Sequence, residues 1–154
     1  MPGSRNSTKT IGALARQTGC QVETIRYYER IGLLPAPSRS HSGYRLYDER
    51  HAERLTFVRH CRSLDMTLAE IRMLLHFRDA PEEDCGAVNR VLDDHIRHVQ
   101  ERIACLGKLE TQLRELRGLC GTSRSARDCA ILHELSHAAT DVRDDCPACS
   151  NKVR

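Results

Sequence analysis

The chain contains no tryptophan, and none of its four Tyr and two Phe residues lies beyond Phe77. A back half without aromatic side chains has only aliphatic residues to bury, which suits helix-on-helix packing better than a mixed globular core. No apolar run approaches the roughly 20 residues needed to span a bilayer, so no membrane partner is expected. The opening MPGSRNSTK has no apolar segment after its charges. It does not read as a signal peptide, and a cytoplasmic setting is expected. There is no Gly-rich phosphate loop, no pair of carboxylates in a catalytic context and no Cys/His pair at catalytic spacing. An enzyme is therefore not expected. What the chain does have is cysteine, eight in 154 residues. In a reducing compartment such thiols are better read as metal ligands or redox groups than as a disulfide framework.

The net charge of +3 decides little, but its distribution is uneven. Residues 1–78 carry 13 Lys and Arg against 7 Asp and Glu, a balance of +6. Residues 79–154 carry 11 against 14, a balance of −3. The front half is the expected polyanion-binding half.

Local signals divide the chain further. Residues 1–8 are polar and read as disordered. Thr10 is placed to cap a short helix, Ile11 to Thr18, with Gly19 as its stop. A second short helix follows from Val22 to Arg30 and ends at Gly32. Pro35 and Pro37 then forbid a helix, and residues 35–47 read as a hairpin turning at Ser42-Gly43. Asp48 caps a helix to about Ser63, with Ala52, Leu55, Phe57 and Val58 on its apolar face. Thr67 caps another over Leu68 to Phe77, with Glu70 completing a capping box. A loop containing Pro81 leads to a long helix, about Cys85 to Leu119, with no proline. A 120–129 loop, a short helix from Ala130 to about Ala138, and a polar, flexible tail over 139–154 complete the reading.

Ala15, Gly19 and Ile25 have the spacing of a helix-turn-helix: a small residue for close approach, a glycine for the turn, an isoleucine facing the core. The second helix, VETIRYYER, turns Glu23, Arg26, Tyr27 and Arg30 outward. Arg26 can read guanine or clamp phosphate. The segment SRSHSGYRLY adds Arg39, His41, Tyr44, Arg45 and Tyr47 around a glycine turn, which suits a wing lying on phosphates. Tyr47 is the candidate for a ring packed beneath that wing.

The run TIGALARQTGCQVETIRYYERIGLLPAPSRSHSGYRLYDERHAERLTFVRHCRSLDMTLAEIRMLL resembles the DNA-binding domain of the MerR family of bacterial activators. The order IRYYE, GLL, then a YRLY wing is highly specific. The resemblance implies a winged helix-turn-helix over residues 9–78 that contacts double-stranded promoter DNA. By position it carries DNA contact onto Arg26, Tyr27, Tyr28, Arg39, Tyr44 and Arg45.

In the long helix, Cys85, Leu92, Val99, Leu106, Leu113 and Cys120 recur at seven-residue steps. Ile96 and Ile103, then Leu109 and Leu116, interleave with them and shift register by one residue. Residues 79–119 thus read as hinge and coiled-coil seam, and a seam this long requires a partner helix. Cys85 and Cys120 stand roughly 50 Å apart on a straight helix at 1.5 Å per residue, so one chain cannot place both on one ion. If two copies pair antiparallel, Cys85 of the partner subunit faces Cys120, and symmetry makes two such sites. Cys129 closes the set across a loop, residues 121–128, that lacks an apolar anchor. Three thiolates suit Cd(II), Pb(II), Hg(II) or Zn(II).

The segments EEDCGAVNRVLDDHIRHVQERI and LRGLCGTSRSARDCAILHEL are similar to the cadmium- and lead-responsive branch of that family. The resemblance places the family's metal cysteines on Cys85, Cys120 and Cys129, with Cd(II) or Pb(II) favoured over Zn(II) or Hg(II). Gly121 stands where zinc-sensing relatives tend to carry a second cysteine. The tail carries Cys146 and Cys149 in place of the histidine-rich tail of cadmium sensors. The resemblance also implies a switch. A homodimer sits on its operator with or without metal, and metal binding bends and untwists the promoter so that RNA polymerase initiates.

The expected fold is therefore all-α with a small β wing, a winged helix-turn-helix domain joined to a long antiparallel coiled-coil dimerisation helix. Residues 120–138 form the expected metal-binding loop and short helix. Cys20, Cys61 and Cys105 read as packing residues. His95 and His98 read as solvated, and His133 as a weak outer-shell candidate. The rival reading keeps DNA binding and makes Cys120 and Cys129 a disulfide-forming redox switch.

Overall fold

The computed structural model describes residues 8–82, 84–121 and 125–137. The expected disordered start (residues 1–7 of it) and the 139–154 tail with Cys146 and Cys149 lie outside the described residues. The chain divides into two units, Met1–Val88 and Asn89–Arg154.

The first unit holds α1 (Ile11–Thr18), α2 (Val22–Arg30), β1 (Ser38–Arg39), β2 (Arg45–Leu46), α3 (Glu49–Ser63) and α4 (Leu68–Asp79). Three of these helices, α1, α3 and α4, start where a side chain satisfies a free backbone N–H. Thr10 Oγ1 accepts from the Ala13 N–H at 3.4 Å. Asp48 and Thr67 form capping boxes with His51 and Glu70. Gly19 ends α1 with φ at 64°, a left-handed conformation in which any side chain is strained. A Cβ there would also stand 2.7 Å from Nη1 of Arg59, which donates to the Thr18 carbonyl. Gly19 is therefore required by the turn, and it leaves room for the Arg59 guanidinium.

β1 and β2 pair antiparallel, Ser38 against Leu46 and Arg39 against Arg45. Gly43 sits in the turn at φ 83°. Lys9 adds a bridge to Tyr47, with N–H···O distances of 2.7 and 2.9 Å in the two directions. The core takes one residue or more from every helix and from the strand end. Leu14, Ile25, Leu33, Tyr47, Leu55, Val58, Met66, Ile71 and Leu75 are all nearly or fully buried. Side chains of this size contribute about 1.5–3 kcal/mol each when removed from water. Phe57, expected on the apolar face of α3, is only half-buried, with the Arg78 guanidinium 5.3 Å above its ring. α4 runs two residues past Phe77, to Asp79, whose carboxylate pairs with Arg54 at 2.6 Å.

α5 (Gly86–Gly118) begins just inside the first unit and runs on into the second, which also holds a 3-10 turn (Ala126–Asp128) and α6 (Ala130–His137). The Asp84 carboxylate accepts the Gly86 N–H at 3.1 Å and starts α5. Its 33 residues form one helix. Its stripe is bare: Leu92, Ile96, Val99, Ile103, Leu106, Leu109 and Leu113 are each 39–64 % exposed. The 3-10 turn falls inside the loop expected to lack structure. Its start is held locally, the Ser125 hydroxyl accepting the Arg127 N–H at 3.4 Å. Cys105, read as a packing residue, is half-buried on α5.

Candidate DNA-binding and metal-sensing sites

The outward face of α2 carries Arg26, whose side chain is 58 % exposed and stands 3.9 Å from Glu23. Tyr27 is partly exposed beside it, with the Arg30 guanidinium 5.5 Å over its ring. Tyr28 points the other way and is 8 % exposed. Burial pushes its hydroxyl pKa up. Its carbonyl accepts the N–H groups of Leu33 at 2.9 Å and Leu34 at 3.1 Å, which turns the chain out of α2. Tyr28 thus supports the helix end from within the core, while Arg26 and Tyr27 are presented to solvent.

The hairpin presents the other expected contacts. Tyr44 is 72 % exposed at the turn. Arg39 is exposed, and its Nη1 lies 3.4 Å from the Gly43 carbonyl. Arg45 is partly exposed and its Nε lies 3.5 Å from Glu29.

Glu29 was not a candidate in the sequence, yet it ties the two elements together. It also accepts a hydrogen bond from the Tyr47 hydroxyl. Burial, then that bond and the Glu29 charge, push the Tyr47 pKa far above its usual range. Tyr47 is fully buried beneath the hairpin, as its position suggested. A wing anchored through Tyr47 and Arg45 to the last turn of α2 keeps a fixed relation to that helix. The hint in the sequence was an acid on α2, Glu29, that falls outside the outward set of Glu23, Arg26, Tyr27 and Arg30.

Of the expected metal ligands, Cys85 is exposed immediately before α5, and Cys120 and Cys129 are half-buried beyond its end. None of the three is in a disulfide. Arg117 Nη1 donates to the Cys120 carbonyl at 3.0 Å. Cys129 precedes α6 and its carbonyl accepts the His133 N–H at 3.1 Å. Among the described residues of the single chain, no three His, Cys, Asp or Glu side chains gather as a metal site. Cys20 and Cys61 are buried, as read, and burial raises the Cys61 thiol pKa. No helix among the described residues is long and apolar enough to cross a membrane.

A helix-turn-helix with a wing, followed by a long helix, defines a DNA-binding transcription regulator and not an enzyme. The chain belongs to the MerR family: residues 9–77 match the MerR HTH family of regulatory proteins, and residues 52–116 match the MerR DNA-binding family. It is 50 % identical over 107 residues to the HTH-type transcriptional regulator ZntR homolog of Haemophilus influenzae, covering 70 % of this chain and 79 % of that one. The crystal structure of the transcription regulator PbrR691 from Ralstonia metallidurans CH34, in complex with lead(II), is 50 % identical. It superposes with a TM-score of 0.74 over 81 % of this chain and 97 % of that one. The MerR regulator of Bacillus megaterium MB1, in complex with mercury(II), is 32 % identical, with a TM-score of 0.61 over 83 % and 99 %.

Proposed function

We propose that the chain is a cytoplasmic, metal-responsive transcription activator of heavy-metal resistance genes, working as a homodimer on double-stranded promoter DNA. The observation that carries this reading is the pairing of one bare apolar stripe on α5 with cysteines outside any disulfide at both of its ends. A second copy lying antiparallel covers the stripe. It also brings the partner subunit's Cys85 to Cys120 and Cys129, and supplies the third donor that a single chain lacks. An all-sulfur donor set fits a soft or borderline divalent ion, Cd(II) or Pb(II) first, then Hg(II) or Zn(II). Likeness to a lead(II)-bound regulator supports that order.

On the DNA side, Arg26 and Tyr27 enter the groove, and Arg39, Tyr44 and Arg45 lie on flanking phosphates. Tyr28 contributes by fixing the end of α2. Metal binding draws Cys120 and Cys129 together with the partner subunit's Cys85. Clamping the 120–129 loop against a second subunit favours one arrangement of the dimer, and only such a difference in affinity between states can shift the promoter conformation offered to RNA polymerase. Smoothly bending a DNA site of about 20–30 base pairs costs on the order of 1–6 kcal/mol, which a difference in metal affinity between the two states has to offset.

The test is reporter induction across a panel of metal salts in wild type and in Cys85→Ser, Cys120→Ser and Cys129→Ser. Each variant is expected to lose induction while operator binding persists. Normal induction by all three variants rejects the ligand assignment. Thiol titration with peroxide in place of metal separates the redox reading, which requires loss of the Cys120 and Cys129 thiols together.

A further inference from the structure

We infer that α6 carries a second, all-imidazole site for a borderline divalent cation, formed by His133 and His137. The two residues are four apart on one helix, so they share a face and stand one above the other. In the structure their ring centroids are 4.3 Å apart, and both side chains are exposed. No core packing fixes either ring. Rotation about the side-chain bonds therefore directs one nitrogen of each to a common ion at the usual 2.0–2.1 Å. The sequence His133-Glu134-Leu135-Ser136-His137 has the spacing at which helical histidine pairs hold zinc.

No third His, Cys, Asp or Glu gathers with them among the described residues, so water completes the coordination. A site of two protein donors on an open helix face, with no enclosing cleft, binds a cation without performing hydrolysis. Its chemistry also differs from that of the thiols. Two imidazoles favour Ni(II), Cu(II) and Zn(II), whereas sulfur favours Cd(II), Pb(II) and Hg(II). One end of the chain thus offers donor sets for two kinds of metal. Cys129 and His133 are joined by one turn of backbone, so a cation held on α6 also stiffens the helix that Cys129 begins.

The experiment uses the full chain, first saturated with Pb(II) and then titrated with Ni(II) by calorimetry. Wild type is compared with His133→Asn, His137→Asn and the double variant L135H/H137L. The last keeps two histidines but moves them two residues apart, onto different faces. Losing the second of two linked donors is expected to weaken Ni(II) binding roughly tenfold or more in all three variants. The sulfur-to-lead absorption should be the same in all four proteins, and helical circular dichroism unchanged. Ni(II) affinity equal to wild type in the variants overturns the site. So does Ni(II) uptake that abolishes the sulfur-to-lead band, because the ion would then be on the thiols. Failure of the lead band alone would count against the thiol reading and leave the imidazole result to stand separately.

Discussion

The two units of this chain handle apolar surface in opposite ways. Among the described residues, every buried hydrophobic residue except Val91 lies at or before Leu75. The first unit encloses its own core, including the aromatic ring of Tyr47. Beyond Asn89, Leu92, Ile96, Val99, Ile103, Leu106, Leu109 and Leu113 of α5 and Leu132 and Leu135 of α6 stand 39–64 % exposed. A helix of 33 residues with one bare stripe is poorly stable as a lone element in water, because helix stability in proteins comes mostly from packing an apolar face. The first unit is complete as one chain. The second is completed by something else, and the regular seven-residue step names a like helix as the partner.

The largest effect that could break this contrast is expected in the seam. Leu106→Glu puts a charge at the centre of the stripe and should convert the dimer to monomer in sedimentation equilibrium, with the first unit still folded. A variant that stays dimeric would mean the stripe is not the interface. Next, Leu55→Ala empties a fully buried position in the first unit and should cost about 2–5 kcal/mol in urea unfolding, without dissociating the dimer.

A smaller effect is expected on the DNA face. Arg26→Ala should cost about 1–3 kcal/mol of operator affinity and relax sequence preference, whereas Arg39→Ala should weaken binding to all sequences and reduce the salt slope by about one. Equal effects of both on specificity would remove the distinction between helix and wing.

The smallest concerns the cap of α3. Burial works to raise the Asp48 carboxyl, but hydrogen bonds from the His51 side chain and backbone hold its pKa below the usual value. A depressed carboxyl contributes stability above its unfolded pKa and loses it as pH falls through the folded one. Asp48→Ala should cost about 1 kcal/mol at neutral pH, and the difference from wild type should shrink on acidification below the ordinary carboxylate range. A difference that stays constant with pH would show that the cap does not depend on the charge.

Much of this was legible beforehand because it is local. Thr10, Asp48 and Thr67 each satisfy a backbone group three residues on, so the starts of α1, α3 and α4 follow from short-range geometry alone. The stripe from Leu92 to Leu113 is set by helical periodicity in the same way. Phe57 differs because its burial depends on Arg78 of another helix, and the 3-10 turn differs because one serine cap was enough to order three residues. Near the thiols, positions 85, 120 and 129 could be chosen from spacing. The single chain leaves them ungathered, since the proposed closing contact belongs to a second copy.

The sequence by itself determined the starts of α1, α3 and α4, the glycine turns and the family, because these depend on neighbours within a turn or two and on an ordered run of motifs. Only the tertiary structure decided that Glu29 holds both Tyr47 and Arg45, and that Tyr28 faces inward while Tyr27 faces out. Such pairings join residues far apart in the chain or on opposite sides of one helix. They depend on how the elements pack together, which no local preference specifies.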